Sequence, residues 1–142
     1  MVIKKKNDEG YTIKDSGARK IFETGANRDL SSGKGRFDLL PPQVLRALAI
    51  HYEKGCIKYG ERNWEKGIPI SRFIDSAIRH ALQFLDGMDD ENHLIAALWN
   101  LASAYETILR IQQGRLPDSL YDLPIKVKLP DVYNEPKKTD KK

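Results

Sequence analysis

Between Pro42 and Gly114 the apolar residues return every three or four positions, as the buried stripe of a helix does. That spacing constrains the chain to helices packed on one another. Val44, Leu45, Leu48, Ala49 and Tyr52 form the first stripe. It predicts a helix from about Pro42 to Tyr59, with the prolines in the first turn, where a missing N–H costs nothing. Gly60, Gly67 and Pro69 interrupt the pattern and mark 60–69 as a connecting loop, with Ser71 the expected N-cap of a second helix. Phe73, Ile74, Ala77, Ile78, Ala81, Leu82, Phe84 and Leu85 carry that helix to a stop at Gly87. Asp89 or Asp90 is expected to cap a third helix, with Glu91 in its first turn, where the helix dipole favours an acid, and the run continues to Gly114.

The third helix is apolar on nearly every face from Leu94 to Tyr105. In so small a protein this requires cover on both sides, and a second copy packed through 94–109 is the expected cover, giving a dimer or tetramer. The flanks read differently. Residues 1–40 carry Gly10, Gly17, Gly25, Gly33 and Gly35 among scattered charges without helix or strand period, so an irregular arm and loop is expected there. In 115–142, Pro117, Pro124, Pro130 and Pro136 forbid a long helix, while Ile125, Val127 and Leu129 alternate like a short edge strand or an extended arm. The expected architecture is all-α: an N-terminal arm (1–40), a helical core (41–114) and an extended tail (115–142).

At 142 residues and 40% hydrophobic content the chain can bury one modest core. Its 24 basic and 20 acidic residues leave only +4. Much of that excess sits at the ends, in Lys4, Lys5 and Lys6 and in Lys137, Lys138, Lys141 and Lys142. With no basic stripe on any expected helix, a specific nucleic-acid partner is not expected. The single cysteine, Cys56, has no partner for an internal disulfide and no evident base beside it, and the charged first residues do not resemble a secretory signal; a cytoplasmic location is expected. Asn100, Ser103, Glu106 and Thr107 interrupt the longest apolar stretch, Leu94 to Leu109, so a membrane role is not expected either.

Four groups of residues could carry chemistry, each with a structural alternative. Ser31-Ser32-Gly33-Lys34-Gly35-Arg36 offers close backbone approach and two cations to an anion, or is a flexible loop. It is no Walker A loop, because Arg28 stands where the first glycine belongs and no hydroxyl follows Lys34. Lys58-Tyr59-Gly60-Glu61-Arg62-Asn63-Trp64 combines two aromatic rings, an amide and cations suited to a nucleotide, or is a helix C-cap with Trp64 in the core. Asp75 and Arg79 share a helix face with Asp86 farther along, an arrangement that a plain ion pair accounts for, and His80 lies in the apolar stripe as a core or functional histidine. Asp89, Asp90, Glu91 and His93, with Asn100 two turns on, could face a carboxylate such as Glu53 across a hard cation, or merely stabilise a helix start.

The runs Gly33-Lys34-Gly35-Arg36-Phe37-Asp38-Leu39-Leu40-Pro41, His51-Tyr52-Glu53-Lys54-Gly55, Lys58-Tyr59-Gly60 and Asn63-Trp64-Glu65-Lys66-Gly67, then Asp75 with Arg79-His80, and Glu91-Asn92-His93-Leu94 with Ala97 and Asn100, together resemble a known family. It is the phage and prophage dATP/dGTP diphosphohydrolase (MazZ-like) N-terminal domain family, divergent relatives of the MazG all-α NTP pyrophosphohydrolases. The resemblance spans roughly residues 25–112. It implies a MazG-like helical bundle that oligomerises and splits a purine deoxynucleoside triphosphate into monophosphate and pyrophosphate with Mg2+, Mn2+ being a possible substitute. The roles it implies are Glu53, Asp90 and Glu91 on the metal, with Glu53, His80 and His93 as the catalytic set. Lys34, Arg36, Lys58 and Arg79 would hold phosphates; Tyr59, Asn63 and Trp64 would hold the base, with Asn100 beside them. The chain departs from MazG relatives in lacking their paired ExxE and ExxD carboxylates. A non-catalytic nucleotide-binding or sensing module is therefore the alternative.

Overall fold

The computed structural model describes residues 5–6, 12–13, 17–130 and 132. Lys4 and the cations Lys137, Lys138, Lys141 and Lys142 lie outside them, as does Pro136. The chain divides into two compact units, Met1–Leu39 and Leu40–Lys142.

In the first unit the otherwise irregular arm carries two short strand pairs that the sequence did not announce. Strands β1 (Lys5–Lys6) and β2 (Thr12–Ile13) pair antiparallel, as do β3 (Arg19–Ile21) and β4 (Asn27–Asp29). The second hairpin places Arg19 opposite Asp29 and closes through reciprocal backbone bonds between Phe22 and the Gly25–Ala26 turn. Its strands are three residues long and almost wholly exposed. With neither face buried, no apolar alternation was selected for, and the pattern that betrays a strand is missing.

Among its described residues the second unit contains three α-helices: α1 (Pro42–Tyr59), α2 (Ile70–Leu85) and α3 (His93–Gln112). The central helix is α3, packing extensively on α2 and more lightly on α1. The loop expected at 60–69 holds a 3-10 turn, Asn63–Lys66. Two caps differ from expectation. Helix α2 begins one residue before Ser71, behind Pro69, and Ser71 hands both its backbone N–H and its hydroxyl to Asp122 of the tail. A carboxylate distant in sequence thus supplies the acceptor that a local N-cap would. Helix α3 is capped by Asn92, whose Oδ1 accepts from the Ile95 N–H. Asp89, Asp90 and Glu91 therefore precede the helix instead of forming its cap and first turn, which frees the side chains of Asp90 and Glu91 for other partners.

The core gathers Ile70 and Phe73 of α2, Ala104, Ile108 and Ile111 of α3, and Tyr121. The tail segment makes no strand at Ile125 to Leu129. It lies on the helices as an extended strap: Gln112 bonds both backbone groups of Leu129, and the Tyr121 hydroxyl accepts from the Val127 N–H. Side chains provide the partners that a neighbouring strand would have supplied. Among the described residues no helix is long and apolar enough to cross a membrane.

Candidate functional site

Helix α1 turns Tyr52, Gly55, Cys56 and Tyr59 to one side, and the 3-10 turn carries Asn63 and Trp64 across from them. Between them, with Ile68 and Trp99, opens a cleft of about 670 Å³. Trp99 is the hub of its aromatic wall. Its ring lies 5.8 Å from Tyr52, 5.9 Å from His51 and 6.0 Å from Phe73, so one indole ties together all three helices. Tilted and edge-on ring pairs of this kind add about 0.5–1.5 kcal/mol each beyond the area they bury. Trp64 meets Tyr52 at 6.2 Å, and the Arg110 guanidinium sits 5.2 Å over the outer ring. Arg110 in turn bonds Glu106 at 3.0 Å and reaches Glu65 at 3.5 Å, while Arg62 bonds Glu65 at 2.8 Å. Trp64 is therefore clamped half-buried as a wall of the cleft, between the pocket and core roles expected for it.

On the other side of His51 lies a polar cluster. The three histidines of the chain, His51, His80 and His93, come one from each helix. His80 and His93 face each other with Nδ1 atoms 2.9 Å apart. The Nε2 of His93 lies 2.8 Å from Oδ1 of Asp90. A carboxylate only accepts, so this nitrogen carries the proton, and in the neutral ring Nδ1 is left with its lone pair facing His80. The hydrogen bond from His93 holds the Asp90 carboxyl below the usual carboxylate range. Glu91 Oε1 stands 3.5 Å from His80 Nδ1 and 3.6 Å from His93 Nδ1. His93 is fully buried and His80 nearly so, while Glu91 is half exposed, so the group opens to solvent on the Glu91 side. His51 is close enough to feel both Glu91 and His80. Burial pushes its imidazole below the ordinary range against the pull of Glu91, with His80 and Lys54 reinforcing the fall.

The donor atoms of His80, Glu91 and His93 lie within 4.8 Å of one another, as one metal ion requires. Donors about 2.0–2.2 Å from an ion stand roughly 3.0–3.5 Å apart, close to the observed 2.9–3.6 Å, and a bound ion would take the place of the proton shared between the two Nδ1 atoms. Glu53 is outside this group and exposed. It follows His51 by two residues, about 200° round a 3.6-residue helix, and His51 is the one that packs half-buried beside Trp99 of α3. Asp90 also stands outside the donor group, behind His93. Asn100 is buried and donates to the Ala96 carbonyl of its own helix, away from the cleft lining. Arg79 is paired with Asp75 at 2.8 Å, and Lys58 extends over the Tyr59 ring at 4.9 Å. In the N-terminal unit, Lys34 and Arg36 line a separate basin with Lys20 and Arg28, and Arg36 is held in a two-pronged pair by Asp38.

Sequence reading gave no site role to His51, Tyr52 or Trp99. The available signal was one histidine in each expected helix and an aromatic residue beside the first. Residues 24–115 match the family described as dATP/dGTP diphosphohydrolase, N-terminal. No curated protein and no solved structure matches the chain. Covering well over half of its length, the match shows that this chain belongs to the dATP/dGTP diphosphohydrolase N-terminal family.

Proposed function

We propose that the protein hydrolyses purine deoxynucleoside triphosphates, dATP and dGTP, between the α- and β-phosphates to give the monophosphate and pyrophosphate. The observation that carries this reading is the junction at Trp99, which walls the aromatic cleft and, through His51, adjoins the His80–Glu91–His93 group. A flat purine stacks on such walls, and Asn63 at the rim offers an amide to its edge. Lys58 and Arg79 are the proposed phosphate contacts, Arg79 by exchanging Asp75 for substrate oxygens. His80, Glu91 and His93 would hold the divalent cation such a reaction needs, which offsets charge on the phosphoryl oxygens and acidifies the attacking water. Mg2+ enters with the triphosphate, since it favours phosphate oxygens and a few carboxylates. Family membership supports the reaction type.

Release of pyrophosphate from a panel of triphosphates, assayed with Mg2+ and with Mn2+, tests the reading. Turnover of dATP or dGTP above the pyrimidine nucleotides is expected; no pyrophosphate from any of them would refute it. A non-catalytic nucleotide binder has one observation in its favour: Glu53 stands apart, leaving Glu91 as the only carboxylate among the clustered donors. The same assay separates the two, since a binder returns the triphosphate intact.

We also infer a homo-oligomer formed through α3. Leu94, Leu101 and Tyr105 are 53%, 50% and 40% exposed. They recur at seven and four residues, the seam along which two helices pack.

A further inference from the structure

We propose that His80 Nδ1, His93 Nδ1 and Glu91 form a resident site for a nitrogen-preferring transition dication of the Co2+ or Zn2+ class, distinct from the Mg2+ carried by a nucleotide. Two of the three donors are imidazole nitrogens, 2.9 Å apart, and the third is a carboxylate oxygen 3.5–3.6 Å from both. Mg2+ is a hard ion that seeks oxygen and keeps its water, whereas imidazole suits the later first-row metals. Asp90 completes the pattern: its carboxylate grips Nε2 of the buried His93 at 2.8 Å and aims the opposite nitrogen into the site. A carboxylate behind a ligating histidine orients the ring and raises its basicity, which makes Asp90 a positioning residue. Glu91, half exposed, leaves one side of the ion open to water or an anionic oxygen.

The proposal deepens the reading of the hydrolase site, yet it is tested on substrate-free protein, so its failure and that of the hydrolase reading are separable. Full-length chain stripped with chelator is titrated with Co2+, Zn2+, Mn2+ and Mg2+ by calorimetry, and Co2+ binding is also followed by its visible d–d absorption. One Co2+ per chain is expected, bound at least about 100-fold more tightly than Mg2+. His80→Asn should abolish the Co2+ spectrum, and Asp90→Asn should weaken binding about 10–100-fold while retaining a spectrum of the same form. Asp90 is mostly exposed, so circular dichroism of Asp90→Asn is expected to match wild type. Should His80→Asn misfold, Glu91→Gln at the open side carries the same expectation of lost affinity. Equal affinity for Mg2+ and Co2+, or an unchanged Co2+ spectrum in a folded His80→Asn or Glu91→Gln protein, would overturn the proposal. Metal binding without turnover would support this site while removing the hydrolase reading.

Discussion

Gly67 closes the 3-10 turn that presents Trp64 to the cleft, and its replacement by alanine should be felt in the whole helical unit. Its backbone sits at φ 105° and ψ 119°, a region that a residue with a Cβ enters only under strain. Holding a non-glycine residue in such a region costs about 1–3 kcal/mol. The added Cβ would also come within 2.6 Å of Leu120 Cδ1 and 3.4 Å of Leu116 Cδ2. The Leu120 methyl is the end of a rotatable side chain but is packed against the core, so overpacking adds about 1 kcal/mol, the low end of its usual range. Gly67→Ala should therefore cost about 2–4 kcal/mol, most of it from the backbone. For a unit of this size that lowers Tm by roughly 8–30 °C. Urea unfolding followed at the helical circular-dichroism band would measure it. A cycle with Leu120→Ala separates the parts: the second substitution should return about 1 kcal/mol of the loss and leave the remainder. A Gly67→Ala protein within about 0.5 kcal/mol of wild type would refute the strain argument. Strictly additive losses in the double variant would refute the clash.

Four further outcomes are expected. Tyr52→Phe removes the 3.2 Å hydrogen bond to Ser103, whose side chain is fully buried, and should cost about 1–2 kcal/mol in urea unfolding, with Ser103→Ala added to it restoring part of the loss. Trp64→Ala should raise KM for a purine triphosphate roughly 5- to 150-fold, the value of one base–aromatic stack, with a smaller effect on kcat; an unchanged KM in a folded variant would place the base elsewhere. The Asp122 carboxyl is held below its ordinary range first by the Ser71 hydroxyl and then by the Ser71 N–H. A group depressed in the folded state adds stability above its unfolded pKa and loses it as pH falls through the folded one. The stability gap between wild type and Asp122→Asn should thus be widest near neutrality and close below about pH 4; a gap constant into acid would refute the coupling. Leu101→Glu should lower the solution mass measured by light scattering to that of one chain, and an unchanged assembly would move the interface off α3.

The all-α bundle was legible before any coordinates because helical packing leaves a local mark. A helix packs on one side, so its apolar residues recur at three and four, and α1 spans the expected Pro42–Tyr59, although Val44 and Leu45 of its stripe stay exposed. Gly87 stops α2 for a similarly local reason: it takes a left-handed φ of 77° just past the last turn. The family was equally open to reading, through short runs of residues that all lie within the matched 24–115.

What spacing could not decide was which side chains meet across helices. Glu53 and His51 are two residues apart, and either could have faced α3; only the packing of α1 on α3 sets His51 beside Trp99 and leaves Glu53 in solvent. Ser71 and Asp122 are 51 residues apart, and so are Tyr52 and Ser103, separations across which no periodicity carries information. The β3–β4 hairpin escaped notice because its strands are almost wholly exposed, and of the two forms expected for 125–129 the tail takes the extended arm, because Gln112 and Tyr121 offer it side-chain partners in place of a sheet. Local chemistry sets the identity of each element of this protein, since a helix satisfies its backbone within itself. The site is made from contacts between elements, whose rotation about their axes is settled only when the core around Phe73 and Trp99 closes.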